Sequence, residues 1–231
     1  MSLFLRSFSI VIGFHLLILG NVQAAESDPF EGVNRKVFAL NEYLDKWLVK
    51  PAAKVYRWST PDFVDQGITN VFYNLGEIRN GVNSLLQADP SNAGKSTARL
   101  LVNSTVGVLG FFDVASRWNI QSEKEDFGQT LAVWGVADGP YVVLPMLGGR
   151  SLRDAVAFAP DVYLSPLEKI DYVATRNTVR AIDLIDIRAD LIDAEQMVSG
   201  DRYGFLRDIY QQRRAAAIAN GDIADDFDDD F

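Results

Sequence analysis

The stretch "GPYVVLPMLGGRSLRDAVAFAP", Gly139 to Pro160, decides the fold class. It holds an apolar run suited to a strand, then a glycine pair, then a helix start. In that order the three parts suggest a phosphate cradle of the nucleotide-binding α/β kind. The dinucleotide fingerprint needs three glycines at set spacing. Here only Gly148 and Gly149 stand together, and Pro145 interrupts the apolar run. Ser151 with Asp154 three residues on makes an approximate capping box, and a helix end that caps itself leaves little room for a ligand anion. A hydrolase elbow is excluded as well, because no Gly-x-Ser-x-Gly occurs. With the α/β reading set aside, the stretch becomes a turn between an apolar segment and a short helix.

The chain around it is 231 residues long and nearly half hydrophobic, with 11% aromatic residues. That suffices for one domain with its own core. Residues 1–24 read separately. Arg6 precedes the apolar run "FSIVIGFHLLILG", and Val22 and Ala24 occupy the positions a signal peptidase reads. A secretory signal cleaved after Ala24 is expected, with a retained membrane anchor as the alternative. The single histidine, His15, lies inside that segment, and the chain has no cysteine. The mature part therefore has no Cys nucleophile, no His-based triad, and neither His nor Cys for a zinc site. No cofactor motif appears. "GKS" at Gly94–Ser96 lacks the glycine a phosphate loop needs five residues earlier, where Asp89 stands. Much of the formal charge of −9 sits in the tail "GDIADDFDDDF". Residues 221–231 are expected to be a disordered acidic extension. No basic stripe suggests nucleic acid.

Between these ends, residues 25–220 read as one mostly helical domain. Asp28 is a candidate N-cap with Pro29 at the first helical position. Phe30, Val33, Val37, Leu40, Leu44 and Trp47 then recur at helical spacing. This stripe is read as the core face of a helix, a membrane-facing stripe being the alternative. Pro51 and Pro61 break a short second segment. Helical patterns follow over 65–87, after Asp89-Pro90, over about 165–197 and over about 201–219. "LLVNSTVGVLGFFDVA", Leu100 to Ala115, suits a buried helix or one close to lipid. Asp183, Asp186, Asp190 and Asp193 share one helix face. A solvated face explains them better than a carboxylate site.

Five ordered blocks resemble the MlaA/VacJ family. They are "DPFEGVNRKVFALNEYLD", "NSLLQAD", "LLVNSTVGVLGFFDVAS", "EDFGQTLAVWGVADGPYVVLPMLG" and "DRYGFLRDIYQQRR". The residues carrying the likeness are Asp28, Pro29, Asn34, Arg35, Asn41, Asn103, Gly107, Phe127, Gly128, Gly139, Tyr141, Pro145, Gly148, Arg153, Asp154, Tyr203 and Arg207. The resemblance implies a single domain of short amphipathic helices closing into a ring around a central polar channel. Through it, phospholipid misplaced in the outer leaflet of the Gram-negative outer membrane would pass toward the periplasm. It also implies membrane association, a trimeric outer-membrane porin and a soluble periplasmic lipid carrier as partners, and no covalent chemistry. The expected place is the periplasmic face of the outer membrane.

Two departures matter. "ILGN", Ile18 to Asn21, resembles a lipobox with Asn21 where the acylated cysteine would stand. Lipidation is accordingly not expected. A partly soluble periplasmic protein, or a non-transporting scaffold that binds porin, stays as the alternative. The family usually has Gly-Pro-Ser before its Thr-Leu-Arg-Asp helix start. Here Gly148 is followed by Gly149 and Arg150, and Arg150 is either a loop variation or a contact for lipid phosphate.

Overall fold

The computed structural model describes residues 28–198 and 200–220. The expected signal peptide and acidic tail lie outside the described residues. Helix α1, Glu31–Leu44, runs through a widened π turn, Asp45–Val49, into α2, Lys50–Ser59. Pro51 therefore does not break the path. It has no N–H to donate and crowds the preceding turn, and the widened turn accommodates both effects. Pro61 does end α2, in extended backbone at φ −64 and ψ 145. From there α3, Asp62–Leu86, begins with Asp62 and Asp65 at its positive end. Asp89 caps α4, Pro90–Thr105, by accepting from Asn92 N at 2.9 Å. A tight loop over 106–112 leads to the single turn α5, Val114–Arg117, and then to α6, Phe127–Val133. The loop, rather than a longer helix, follows Thr105 because Val108, Leu109 and Gly110 take left-handed backbone.

The opening stretch forms a β-hairpin. Strand β1, Tyr141–Leu144, pairs antiparallel with β2, Gly148–Ser151, in the register Tyr141↔Ser151 and Leu144↔Gly148. Met146 and Gly148, both at positive φ, turn the chain between them. Gly149 is required here, since a Cβ at that position would run into the ring and hydroxyl of Tyr141. Helix α7, Leu152–Leu164, starts on Ser151, whose hydroxyl accepts from Asp154 N at 3.1 Å. The expected cap is thus in place. A short 3-10 turn, Pro166–Lys169, precedes α8, Val173–Ala194. Another, Glu195–Met197, precedes α9, Arg202–Ile218. The domain is mostly helical, and its two principal helices, α3 and α8, are long rather than short. Helix α8 packs against α2 and α3, while α1 and α9 both pack on the hairpin.

Packing is inverted relative to a water-soluble domain. Among the described residues the buried hydrophobic side chains are five alanines with Tyr141, Val143 and Tyr203, whereas sixteen polar or charged residues are buried. Helix α1 shows the reason. Its inner face carries Asn34, which is buried, and half-buried Asn41, and Asp45 is half-buried at the start of the π turn. Val37 and Phe38 flank the small Tyr141–Val143–Tyr203 cluster. Phe30, Val33, Leu40 and Trp47, the greater part of the stripe read as a core face, point outward and are exposed. The expectation is corrected. In water that stripe would lose burial worth about 25 cal/mol per Å², so the exposed face calls for apolar surroundings. Trp58, 87% exposed on α2, extends it. No helix among the described residues is long and apolar enough to cross a membrane.

Candidate functional site

The inverted packing turns polar faces toward a cavity of about 480 Å³ between α3 and α8. The α3 wall carries the buried Glu77 and Asn80, and the same run of polar residues also buries Asn74 and Asn83. Glu77 is fixed by Arg99 Nε at 2.7 Å and by the Ser122 hydroxyl at 3.0 Å. Arg99 also donates to Asp113 at 3.1 Å and to Ile120 O at 2.6 Å. Asn83 donates to Arg79 O at 3.1 Å and accepts from the Thr130 hydroxyl at 2.9 Å. These bonds satisfy polar groups that would otherwise be costly to bury.

The opposite wall is the acidic face of α8, where the reading of a solvated face holds for exposed Asp190 and for Asp193, which pairs with Arg57 at 2.7 Å, and is corrected for Asp186 and half-buried Asp183. Asp186 is 2% exposed. It accepts from the Tyr56 hydroxyl at 2.7 Å and from Thr69 Oγ1 at 2.8 Å. Burial, then that carboxylate, holds the Tyr56 hydroxyl well above its ordinary range. Burial, then the charge of Asp186, raises Asp183 and Asp190. At the end of α7, burial pushes Asp161 up to about 6, against the opposing pull of Phe127 N–H at 3.0 Å and of Arg79. Arg79 lines the same cavity, and its Nε is buried without a hydrogen-bond partner.

The residues singled out in the sequence gather elsewhere, at the seam where the two ends of the domain meet the hairpin. Asp28 does not cap α1 as an N-cap, since the helix begins at Glu31. It accepts from Phe30 N and Asn34 Nδ2, both at 3.0 Å, and from the Tyr203 hydroxyl. Asn34 donates on to Tyr141 O at 3.0 Å and accepts from Val143 N at 2.9 Å. One heptad along, Asn41 repeats the pattern, donating to Leu144 O at 3.0 Å and accepting from Met146 N at 2.8 Å, just past Pro145 in the turn. Arg35 lies over the Tyr203 ring at 4.4 Å and donates to Asp201 at 2.6 Å. A second knot forms around Asp154, which pairs with Arg153 and with Arg214 and accepts from the Tyr210 hydroxyl. Arg214 bridges it to Asp126 at 2.6 Å. Gly128 belongs to this knot because a Cβ there would meet both Arg214 and Asp154. Gly139 makes the same kind of close approach to Leu152 at positive φ. Asn103 and Gly107 hold the loop after α4, Asn103 donating to Asp113 at 3.0 Å. Phe127 packs edge-on against Trp134. Arg207 pairs with its neighbour Asp208 at 3.1 Å, and its charge also acts on Asp28. Arg150 lies over the Phe158 ring at 4.7 Å and lines a smaller space of about 270 Å³ that shares Asp161 with the large cavity.

Comparison with known proteins fits this arrangement. The model of the MlaA lipoprotein family matches residues 26–217. The chain belongs to the MlaA family. It is 34% identical over 227 residues to the intermembrane phospholipid transport system lipoprotein MlaA of Escherichia coli K12, covering 94% of this chain and 90% of that one. It is 42% identical over 195 residues to an uncharacterized protein of Rickettsia typhi, covering 83% and 78%. A solved structure described as the structural basis for maintenance of bacterial outer membrane lipid asymmetry superposes with a TM-score of 0.74 at 32% identity. That match covers 84% of this chain and all of the other. This MlaA-family chain accordingly functions in intermembrane phospholipid transport and is exported to the periplasmic face of the outer membrane. Phospholipid and membrane are its partners. Among the described residues no group of three or more His, Cys, Asp or Glu side chains could hold a metal ion. The cavity residues Arg79 and Asp161 fall outside the features that stand out in the sequence. One available signal was the acid face of α8, set against the exposed Leu184 and Leu191, once α1 is known to be inverted.

Proposed function

We propose that the cavity between α3 and α8 is the polar passage of the transporter, open to the lipid headgroup, while the outward apolar faces of α1, α2 and α8 lie in one leaflet. The observation that carries this reading is the inversion itself. The buried Glu77, Asn80 and Asp186 line the space, and exposed aromatic and aliphatic side chains cover the outside. Extracting a lipid exposes acyl chain at about 0.8 kcal/mol per CH₂. A route that keeps the headgroup wet and the chains against apolar surface lowers that cost. The protein does no covalent chemistry in this role. The helices close around the passage as a ring, which receives phospholipid from the outer leaflet beside a trimeric porin and delivers it to a soluble periplasmic carrier. The mature domain spans 25–220. Arg150, stacked on Phe158 beside Asp161, stands next to the passage as a secondary phosphate contact.

Gly76 gives a clean test. It lines the cavity, and a Cβ built on it meets nothing within 4 Å, so Gly76→Trp fills the passage without disturbing the helix. In a strain that depends on this chain, G76W is expected to accumulate normally and yet leave phospholipid in the outer leaflet, with increased detergent sensitivity. Full complementation by G76W would sink the passage.

A further inference from the structure

The charges lining the cavity go beyond polarity. Once Glu77 is paired with Arg99, four carboxyl groups remain, those of Asp161, Asp183, Asp186 and Asp190, against the cations of Arg79 and Lys124. Lys124 is turned onto the face of Tyr73, its Nζ 3.9 Å from the ring centroid. Asp186 already accepts one hydrogen bond on each oxygen, from Tyr56 and Thr69. Arg79 is different. Its charge acts on both Asp161 and Asp183, yet its Nε has no partner. Among the described residues Arg79 and these carboxylates thus line one open space without closing into an ion pair. A purely anionic headgroup entering there brings a phosphate for Arg79 and nothing for the acids, which repel it. A headgroup with a phosphate and an ammonium a few ångströms apart satisfies both sides.

We infer that the cavity selects zwitterionic phosphoethanolamine headgroups, Arg79 taking the phosphate and Asp183 with Asp190 taking the ammonium. This rests on the headgroup passage proposed above. An ammonium carries three N–H donors, and charge-assisted hydrogen bonds of this kind are the stronger ones. The ion pair between ligand and wall also forms beside the buried Asp186 and half-buried Asp183, where charges interact more strongly than in water.

The test uses the purified mature protein in mild detergent. It is incubated with mixed micelles holding equal phosphatidylethanolamine and phosphatidylglycerol of identical acyl chains, re-isolated, and its bound lipid quantified by mass spectrometry. The wild type is expected to retain phosphatidylethanolamine over phosphatidylglycerol by about tenfold, the ratio set by one charge-assisted hydrogen bond. Asp183→Asn combined with Asp190→Asn is expected to abolish that preference while total bound lipid stays within about twofold, the scatter of such measurements. Arg79→Gln is expected to lower retention of both lipids, with circular dichroism confirming the helices in each variant. Equal retention by the wild type, or a preference that survives in the double variant, overturns the selectivity and leaves the passage standing. If the wild type retains neither lipid while G76W still blocks transport, the phosphoethanolamine site falls alone; if G76W also complements fully, the passage falls with it.

Discussion

Asn34 offers the sharpest test of how the fold is held. Its side chain is buried and completes hydrogen bonds with Asp28, Tyr141 O and Val143 N, tying α1 to β1 from within the Tyr141–Val143–Tyr203 cluster. Asn34→Leu keeps the volume and removes every one of these bonds. Tyr141 and Val143 are themselves buried, so water does not replace the lost partners. Stranding a buried backbone donor and a buried acceptor costs about 1–3 kcal/mol each, and leucine recovers part of that through apolar contact. The expected loss is about 3 kcal/mol. Asn41→Leu is the matched control, seven residues along the same face. It loses the same two kinds of bond, to Leu144 O and Met146 N, but the Met146 contact is exposed and water takes it over. The expected loss there is about 1 kcal/mol, the net worth of an ordinary hydrogen bond. Both variants are read by urea unfolding in nonionic detergent, followed by tryptophan fluorescence and extrapolated linearly. Amide exchange at Val143 supplies a local readout. Equal destabilisation by the two variants, or unchanged protection of the Val143 amide in N34L, would refute the argument that burial at the seam decides the cost.

Two other outcomes follow from the same structure. Burial raises Asp161 from the usual carboxyl value to about 6, so its protonated form favours the folded state. That contribution is complete below about pH 4 and is lost as pH rises through 6; a rise of this size is worth about 3 kcal/mol. Asp161→Asn should flatten the stability profile between about pH 4 and 6, measured by unfolding at stepped pH, and an unchanged slope would count against the assignment. Leu40 stands on the outward face of α1. Leu40→Asp should leave unfolding within about 0.5 kcal/mol of wild type and weaken vesicle flotation by about tenfold or more, a carboxylate being costly against lipid. Equal flotation would show that α1 does not face the leaflet.

Periodicity explains both what could be read in the sequence and what could not. The helices were legible because apolar spacing, the Asp89-Pro90 start and the Ser151–Asp154 cap are local signals, and each of these caps is present. Which face turns inward was not legible. The spacing of Val33, Leu40 and Trp47 is the same whether that stripe meets a core or a bilayer, since both are apolar surroundings. The tie is broken by the complementary face. Asn34 and Asn41, one heptad apart, make paired backbone bonds that only an inward position can supply. The acids of α8 obey the same logic, with Asp186 enclosed by Tyr56 and Thr69. The hairpin was half legible. "YVVL" carries strand character, whereas its partner "GGRS" has no alternation to read and pairs because Gly149 leaves room for the Tyr141 ring. The family likeness pointed to the seam around Asp28 and Asp154, which holds the two ends of the domain on the hairpin. The charges of the cavity come from Arg79, Asp161 and α8, where no short motif marks them. They become a site only when a 25-residue and a 22-residue helix turn their polar faces toward one space. The seam is therefore held by short bonds of fixed geometry, whereas the cavity rests on a balance of charge between two helix faces, which can vary without moving the frame.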